Sequence, residues 1–321
     1  MERRKFLKTI AAGSALAGIG NANAAPAYPV RPVTLVVAFS TGGGTDTLAR
    51  AIAVPLGEKL GQTVIVENKP GAGAVIGSDY VAKSRPDGYT LLVTSAPHVS
   101  NPSLVEKMPF DTVKAFAPVC LAAQSPFVVV VRADSPVRSI DDLVAQAKKR
   151  SLSYGSSGNG TNDHLSTELL SKIYNISMVH VPYKGTGPAL LDLMGGHIDL
   201  MFANIVGAAQ MVRNGKLRAI AVTSAQRSSL MPDVPAIQEI TGKPFDVTAW
   251  TGILAPAGTD PEIVTKLNRE IRAALQDPKV RETLAGAGAD IVGNSPQEFQ
   301  QFIVSDIAKW AAVIKAANIR I

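Results

Sequence analysis

Three glycine-rich loops, each following an apolar run and opening a helix-like stretch, hold the residues best placed to do chemistry. They are Ser40-Thr41-Gly42-Gly43-Gly44-Thr45-Asp46, Asn68-Lys69-Pro70-Gly71-Ala72-Gly73 and Ser156-Ser157-Gly158-Asn159-Gly160-Thr161. The chemistry this arrangement supports is recognition of an anion. The first N–H groups of a helix lack partners within it, the helix dipole favours negative charge there, and glycine lets a ligand approach the main chain. The flanking Ser, Thr and Asn side chains add neutral donors. A charge-assisted hydrogen bond contributes roughly 1.5–3 kcal/mol, so a handful supports micromolar binding after ordering costs. Any one loop is equally well explained as a turn; three in corresponding places favour a ligand cleft.

Competing chemistries fit less well. Gly155-Ser156-Ser157-Gly158-Asn159 fails the nucleophile-elbow pattern, because Asn159 stands where the final glycine belongs. Gly71-Ala72-Gly73-Ala74-Val75-Ile76-Gly77 is one residue too long for a dinucleotide fingerprint, and no phosphate-loop motif ending in Lys-Ser or Lys-Thr occurs. His98, His164, His180 and His197 never fall at a metal-ligand spacing, and the single cysteine, Cys120, cannot complete a zinc site. Neither a metal nor a cofactor is expected, and His98 and His164 read as structural residues. Asp46 suits a ligand amino group, or a helix N-cap or first-turn carboxylate, the capping role being favoured. A hydrolase acting on a small carboxylated substrate remains the alternative from another class, as does a ligand-dependent partner of a membrane sensor.

The loops need rigid elements behind them. Residues 33–39 form a continuous apolar, β-branched run that reads as a strand buried on both faces, and residues 47–60 follow with helical spacing through Leu48, Ile52, Leu56 and Leu60. The unit recurs as strand 64–67 and helix 74–84, with a third strand at 89–94. A second series starts with strand 127–132 and runs through helix 140–150, strand 152–154, helix 161–174, strand 178–181, helix 187–194, strand 198–202, helix 206–214 and strand 217–223. This alternation implies an α/β chain with two open, largely parallel sheets flanked by helices. The C-terminal part reads as helical, with Asp260-Pro261 starting one helix and the capping box Ser295-Pro296-Gln297-Glu298 another. Crossovers near residues 124–126 and 248–252 would make a hinged two-lobed clam with a central cleft. Residues 25–125 and 249–321 would form lobe 1, and residues 126–248 lobe 2.

The N-terminus carries an address. Arg3-Arg4-Lys5-Phe6-Leu7-Lys8 is a twin-arginine pattern, an apolar small-residue run follows at residues 9–20, and Ala22-Asn23-Ala24 suits a signal peptidase. Residues 1–24 are therefore expected to direct export to the periplasm, with cleavage after Ala24. Removing 24 of the 321 residues leaves 297, enough for two domains. Arg3, Arg4, Lys5 and Lys8 against Glu2 take +3 of the formal +6 with them, leaving about +3, so the charge does not indicate nucleic acid. Cys120 cannot form an intramolecular disulfide and reads as a small buried hydrophobe.

The ordered motifs resemble one family. Gly43-Gly44-Thr45-Asp46 with Ala49-Arg50, Val66-Glu67-Asn68-Lys69-Pro70-Gly71-Ala72-Gly73, Pro86-Asp87-Gly88-Tyr89-Thr90 and His98 with Asn101-Pro102 carry the resemblance in the first half. Tyr154-Gly155-Ser156-Ser157-Gly158, Gly160-Thr161 with His164-Leu165, Val181-Pro182-Tyr183-Lys184-Gly185 with Pro188-Ala189, and Gly195-Gly196 before Asp199 continue it. The chain is similar to the periplasmic solute-binding proteins of tripartite tricarboxylate transporters, the Bug family. The resemblance implies a two-lobed periplasmic-binding-protein fold of type II, no enzymatic activity, a small organic acid as ligand, membrane transporter subunits as partners, and a monomer. By motif position it implies a pocket of Phe39, Ser40, Thr41, Gly43, Gly44, Thr45, Asp46, Ala72, Gly73, Ala74, Ser95, Ser156, Ser157, Asn159, Gly160, Thr161 and Asn204. Two departures stand out: Ser40-Thr41 replaces a proline common in relatives, adding hydroxyls, and Ala74 replaces a frequent glycine.

Overall fold

A computed structural model describes residues 28–319; the twin-arginine segment and the cleavage site after Ala24 lie outside the described residues. The first half alternates β1 (Val33–Val37), α1 (Gly44–Leu60), β2 (Val64–Asn68), α2 (Val75–Ala82), β3 (Thr90–Thr94) and α3 (Pro97–Leu104). A 17-residue strand, β4 (Phe116–Arg132), leads into α4 (Ile140–Lys149), β5 (Leu152–Ser156), α5 (Asn162–Tyr174), β6 (Met178–Pro182) and α6 (Thr186–Gly195). Then come β7 (Leu200–Asn204), α7 (Ile205–Arg213), β8 (Leu217–Val222), α8 (Ile237–Thr241), β9 (Thr248–Pro256), α9 (Pro261–Leu275), α10 (Pro278–Gly286), β10 (Asp290–Ile291) and α11 (Pro296–Ala316).

The strands are ordered β2-β1-β3-β9-β4-β7-β5-β6, with β8 and β10 also paired to β4. β4 changes partners along its length. Phe116 to Pro126 pairs with β9, whereas Phe127 onward pairs with β7 and β8. Only the ladders β1–β2, β1–β3, β5–β6 and β5–β7 are parallel; every ladder involving β4 or β9 is antiparallel. The expectation of largely parallel sheets is thus corrected: β9 runs against β1, β2 and β3, and β4, antiparallel to β9, runs against β5, β6 and β7.

The sequence reading also placed the start of β4 too late, at Phe127. Two prolines hide the strand, and the structure accommodates both. Pro118 sits at a register shift, and Pro126 faces Thr248 where β9 hands over to β7, so neither missing N–H breaks a continuous ladder. α3, where the sequence reading places no helix, likewise contains Pro97 at its start and Pro102 within it.

Three clusters hold the layers together. One packs Leu35, Leu91 and Ile253 of the first sheet against Leu48 and Ile52 of α1 and Leu267 and Ile271 of α9. Another lies between Val128, Val130 and Met201 of the second sheet and Leu190 and Ala208 of α6 and α7. The largest joins both sheets: Phe299, Ile303, Trp310 and Ile314 of α11 share it with Leu92 and Leu254 on one side and Leu165 and Phe245 on the other. Fully burying one such side chain contributes roughly 1.5–3 kcal/mol, so α11 is a brace across the molecule. Its start is fixed by the capping box: Glu298 N–H donates to Ser295 Oγ at 3.2 Å and Ser295 N–H donates to Glu298 Oε2 at 2.8 Å.

Candidate functional site

The carboxyl ends of β1, β3, β5 and β7 converge on a cleft between the two βα series. Two chambers occupy it. One, of about 240 Å³, is lined by Gly44 and Thr45 at the start of α1, Ser95, residues 123–125 of β4, Asn204, residues 249–251 of β9, and Leu284, Ala287 and Ala289. The other, of about 370 Å³, is lined by Gly73, residues 95–97, Ser100, Asn101, Leu104, Phe127, Ser157 and residues 159–163. Ser95 lines both and stands at their junction. A groove of about 490 Å³ between α1 and α10 is larger but collects none of the glycine loops.

Helix starts dominate these walls. α1 and α5 have no side-chain cap, so their first two N–H groups are left for a ligand or solvent, whereas α3 opens with Pro97 and its next N–H groups donate to Ser95 O and Ala96 O. α7 differs, because Asn204 Oδ1 accepts from Val206 N–H at 3.0 Å. No Lys, Arg or His lines either chamber among the described residues, and Asp163 is their single ionisable group. An anion held here would rest on backbone N–H groups, hydroxyls and amides.

The first and third glycine loops are each braced from beneath by a buried carboxylate. Asp46, 1% exposed, accepts from Gly42 N–H at 2.9 Å, from Arg50 Nε and from Asn68 Nδ2. Burial pushes its carboxyl up, but the bonds from Arg50, Gly42 and Asn68 outweigh this and hold it below the ordinary carboxylate range. Its acceptors are thus committed within the first βα series. Asp163, 2% exposed, accepts from Ser157 N–H at 2.6 Å and Ser157 Oγ at 3.0 Å. The second loop is shaped differently: Ala72 and Ala74 take left-handed backbone at φ 47° and 75°, a conformation costly for a side-chain-bearing residue. Asn101 Nδ2 secures it by donating to Gly73 O at 2.7 Å.

Of the expected pocket residues, the structure brings Gly44, Thr45, Gly73, Ser95, Ser157, Asn159, Gly160, Thr161 and Asn204 to the chamber walls. Phe39, Ser40, Thr41, Gly43, Asp46, Ala72, Ala74 and Ser156 do not line them. Ser40, Thr41 and Gly43 are exposed on the approach to α1, and Ala72 is exposed ahead of α2. Asp46, Ala74 and Ser156 are turned inward. Residues 123–125, Asn101, Phe127, Trp250 and the turn at Leu284, Ala287 and Ala289 were missed as wall residues. The only local signal for Asn101 is its place beside Pro102.

Ser156 Oγ lies 2.6 Å from His180 Nε2, a distance that suits a nucleophile and its base. Ser156 is fully buried and its hydroxyl also engages Gly158, so no substrate can reach it. Cys120 is fully buried, and burial pushes its thiol up to about 12. Among the described residues no group of three His, Cys, Asp or Glu gathers for a metal, and no helix is long and apolar enough to cross a membrane.

Comparison with known proteins places this architecture. Residues 48–319 match the family described as tripartite tricarboxylate transporter family receptor, TctC. BugT of Bordetella pertussis is 38% identical, with each chain covered in full. A TctC solute-binding protein from Polaromonas, solved with no ligand, superposes with a TM-score of 0.84 at 30% identity, covering 90% of this chain and 99% of that one. A Rhodopseudomonas palustris protein with adipate gives 0.74 at 37% identity, covering 92% and 100%. MatC from R. palustris with bound malate gives 0.70 at 34% identity, covering 89% and 100%. The cleft between two βα series is therefore that of a two-lobed solute-binding protein, and the chain belongs to the TctC, or Bug, family of periplasmic binding proteins.

Proposed function

We propose that this protein captures a small organic carboxylate in the cleft and presents it, as a monomer, to the membrane subunits of a tripartite tricarboxylate-type transporter. The observation that carries the reading is the pair of chambers joined at Ser95, walled by uncapped helix starts from both βα series and free of cationic side chains. Such walls suit a carboxylate, whose charge the N–H groups and helix dipoles favour. The adipate and malate complexes of relatives support the same ligand class. In this reading residues 1–24 direct export and are removed after Ala24.

Lobe 1 comprises residues 25–125 and 249–321, lobe 2 residues 126–248, and the lobes close about β4 and β9 when ligand binds. An open resting shape is supported by the comparison: the relative without ligand matches this fold more closely than the adipate and malate complexes do, despite lower identity.

The test is a thermal-shift and calorimetric screen of protein starting at Ala25 against malate, adipate, aromatic acids, acidic amino acids and the corresponding amides. A ligand that binds only the native state raises the melting temperature. Stoichiometric binding of an acid but not its amide is the expected result. Equal binding of acid and amide, or no binding to folded, ligand-free protein, overturns the reading.

A further inference from the structure

Beneath the third glycine loop lie three stacked rings from three elements. Tyr154 of β5 stacks on His180 of β6 at 4.9 Å between centroids, and His180 stacks on His164 of α5 at 3.8 Å with 14° between planes. Each imidazole also holds one point of the loop above. His164 Nδ1 accepts from Gly160 N–H at 3.0 Å. His180 Nε2 lies 2.6 Å from Ser156 Oγ, which in turn donates to Gly158 O at 3.1 Å and accepts from Gly158 N–H at 3.2 Å.

The loop needs such support. Gly158 and Gly160 take φ of 143° and 72°, so the arc over residues 156–160 bends at two glycines that impose little restraint of their own. Its residues Ser157, Asn159 and Gly160 line the larger chamber, and α5 begins uncapped immediately after it.

We propose that His164 and His180 are positioning residues for the lobe 2 half of the ligand site, fixing the arc so that Asn159 and the uncapped start of α5 face the cleft. The inference rests on the carboxylate-binding reading above. The clamp works only while Nδ1 of His164 is an unprotonated acceptor. Burial, with the neighbouring His180 ring, holds His164 in that form by lowering it to about 4. A loop fixed before binding spares the ligand the cost of ordering it.

Four variants test the clamp: His164→Leu, which removes the acceptor; His164→Asn, whose amide oxygen can replace Nδ1; His180→Leu; and Ser156→Ala, which cuts the link to Gly158 with little change in packing. The readouts are malate and adipate affinity by calorimetry, amide hydrogen exchange at Gly158 and Gly160, and melting temperature. For His164→Leu the expected result is about tenfold weaker binding, equivalent to about 1.4 kcal/mol, with faster exchange at Gly160, both restored in His164→Asn. Ser156→Ala should weaken binding and speed exchange at Gly158 alone. Wild-type affinity and exchange in His164→Leu and Ser156→Ala would overturn the clamp, as would a folded His164→Asn that restores neither. If wild-type protein binds no acid, the carboxylate reading fails, and exchange at the two glycines still decides the clamp.

Discussion

Gly288, in the turn between α10 and β10, packs so tightly against Val206 at the start of α7 that a Cβ on Gly288 would overlap Val206 Cγ2. The two residues belong to opposite sides of the cleft, and the turn is tethered where it stands. Ser125 Oγ donates to Gly288 O at 2.8 Å, and Ser229 Oγ donates to Asp290 Oδ1 at 2.8 Å. Ala287 and Ala289, beside it, line the smaller chamber. Contact between Gly288 and Val206 therefore limits how far the two sides approach there.

Gly288→Ala tests this contact. The new methyl meets Val206 and Leu230, and the backbone at φ 65° disfavours any side chain. Overpacking and the left-handed penalty together predict a loss of about 2 kcal/mol or more, read by urea unfolding, as α7 is pushed off the turn. Unchanged unfolding would mean that Val206 yields freely and the contact limits nothing.

Asp46→Asn probes the brace under the first loop. Arg50 is half exposed, so solvent screens much of its attraction, and a loss of about 1–2 kcal/mol at pH 7 is expected. The sign with pH is fixed. Burial alone would raise the Asp46 carboxyl, but its hydrogen bonds lower it below its unfolded value, so its contribution is present above about pH 4 and lost as pH falls further. The gap between wild type and variant should therefore close in acid. A gap that is constant from pH 7 to pH 3 would remove the ionised carboxylate as its cause.

His98 predicts acid sensitivity from a different place. It is 3% exposed, packs edge-on against Phe116 at 5.2 Å, and neither ring nitrogen has a hydrogen-bond partner. Burial lowers it to about 4, offset in part by the nearby Thr112 backbone, which lies outside hydrogen-bond geometry. The unfolded chain takes up this proton near pH 6.5 and the folded chain only near pH 4, so stability is full above 6.5 and falls as pH drops between the two. The loss reaches about 3 kcal/mol for this group. His98→Leu should match wild type at pH 7 and fall less steeply in acid; parallel curves would exonerate His98.

The loops that open α1 and α5 were legible because their cause is local: an apolar run, then glycines, then helical spacing. Gly44, Thr45, Gly160 and Thr161 follow from that pattern alone. The back and side walls were not legible, because β4 pairs with β9 across more than a hundred residues and the Leu284–Ala289 turn reaches the cleft through tertiary packing only. Asp46 and Ser156 show the same limit from the other direction. Both sit in the right motifs, but their partners, Arg50 with Asn68 and His180, turn their side chains inward. A motif marks where the main chain bends, whereas the direction of each side chain depends on residues brought alongside by the fold.

Trp250 can report whether β4 and β9 act as the hinge. It pairs with Gln124 across those two strands, lines the smaller chamber, and packs edge-on against Phe299 and Phe302 of α11. The chain has two tryptophans, so Trp310→Phe leaves Trp250 as the only indole. Trp310 is buried and its Nε1 donates to Asp306 at 3.1 Å, so this variant loses some stability; its fold must first be verified by circular dichroism. Closure about β4 and β9 bends the strands that carry Trp250 and changes its contacts with α11 and the chamber. Saturating malate or adipate should then shift or quench its emission in step with calorimetric binding, and reduce the radius of gyration in small-angle scattering. Compaction without a change in emission would place the moving joint elsewhere; saturation with neither would mean that the cleft binds its ligand without closing.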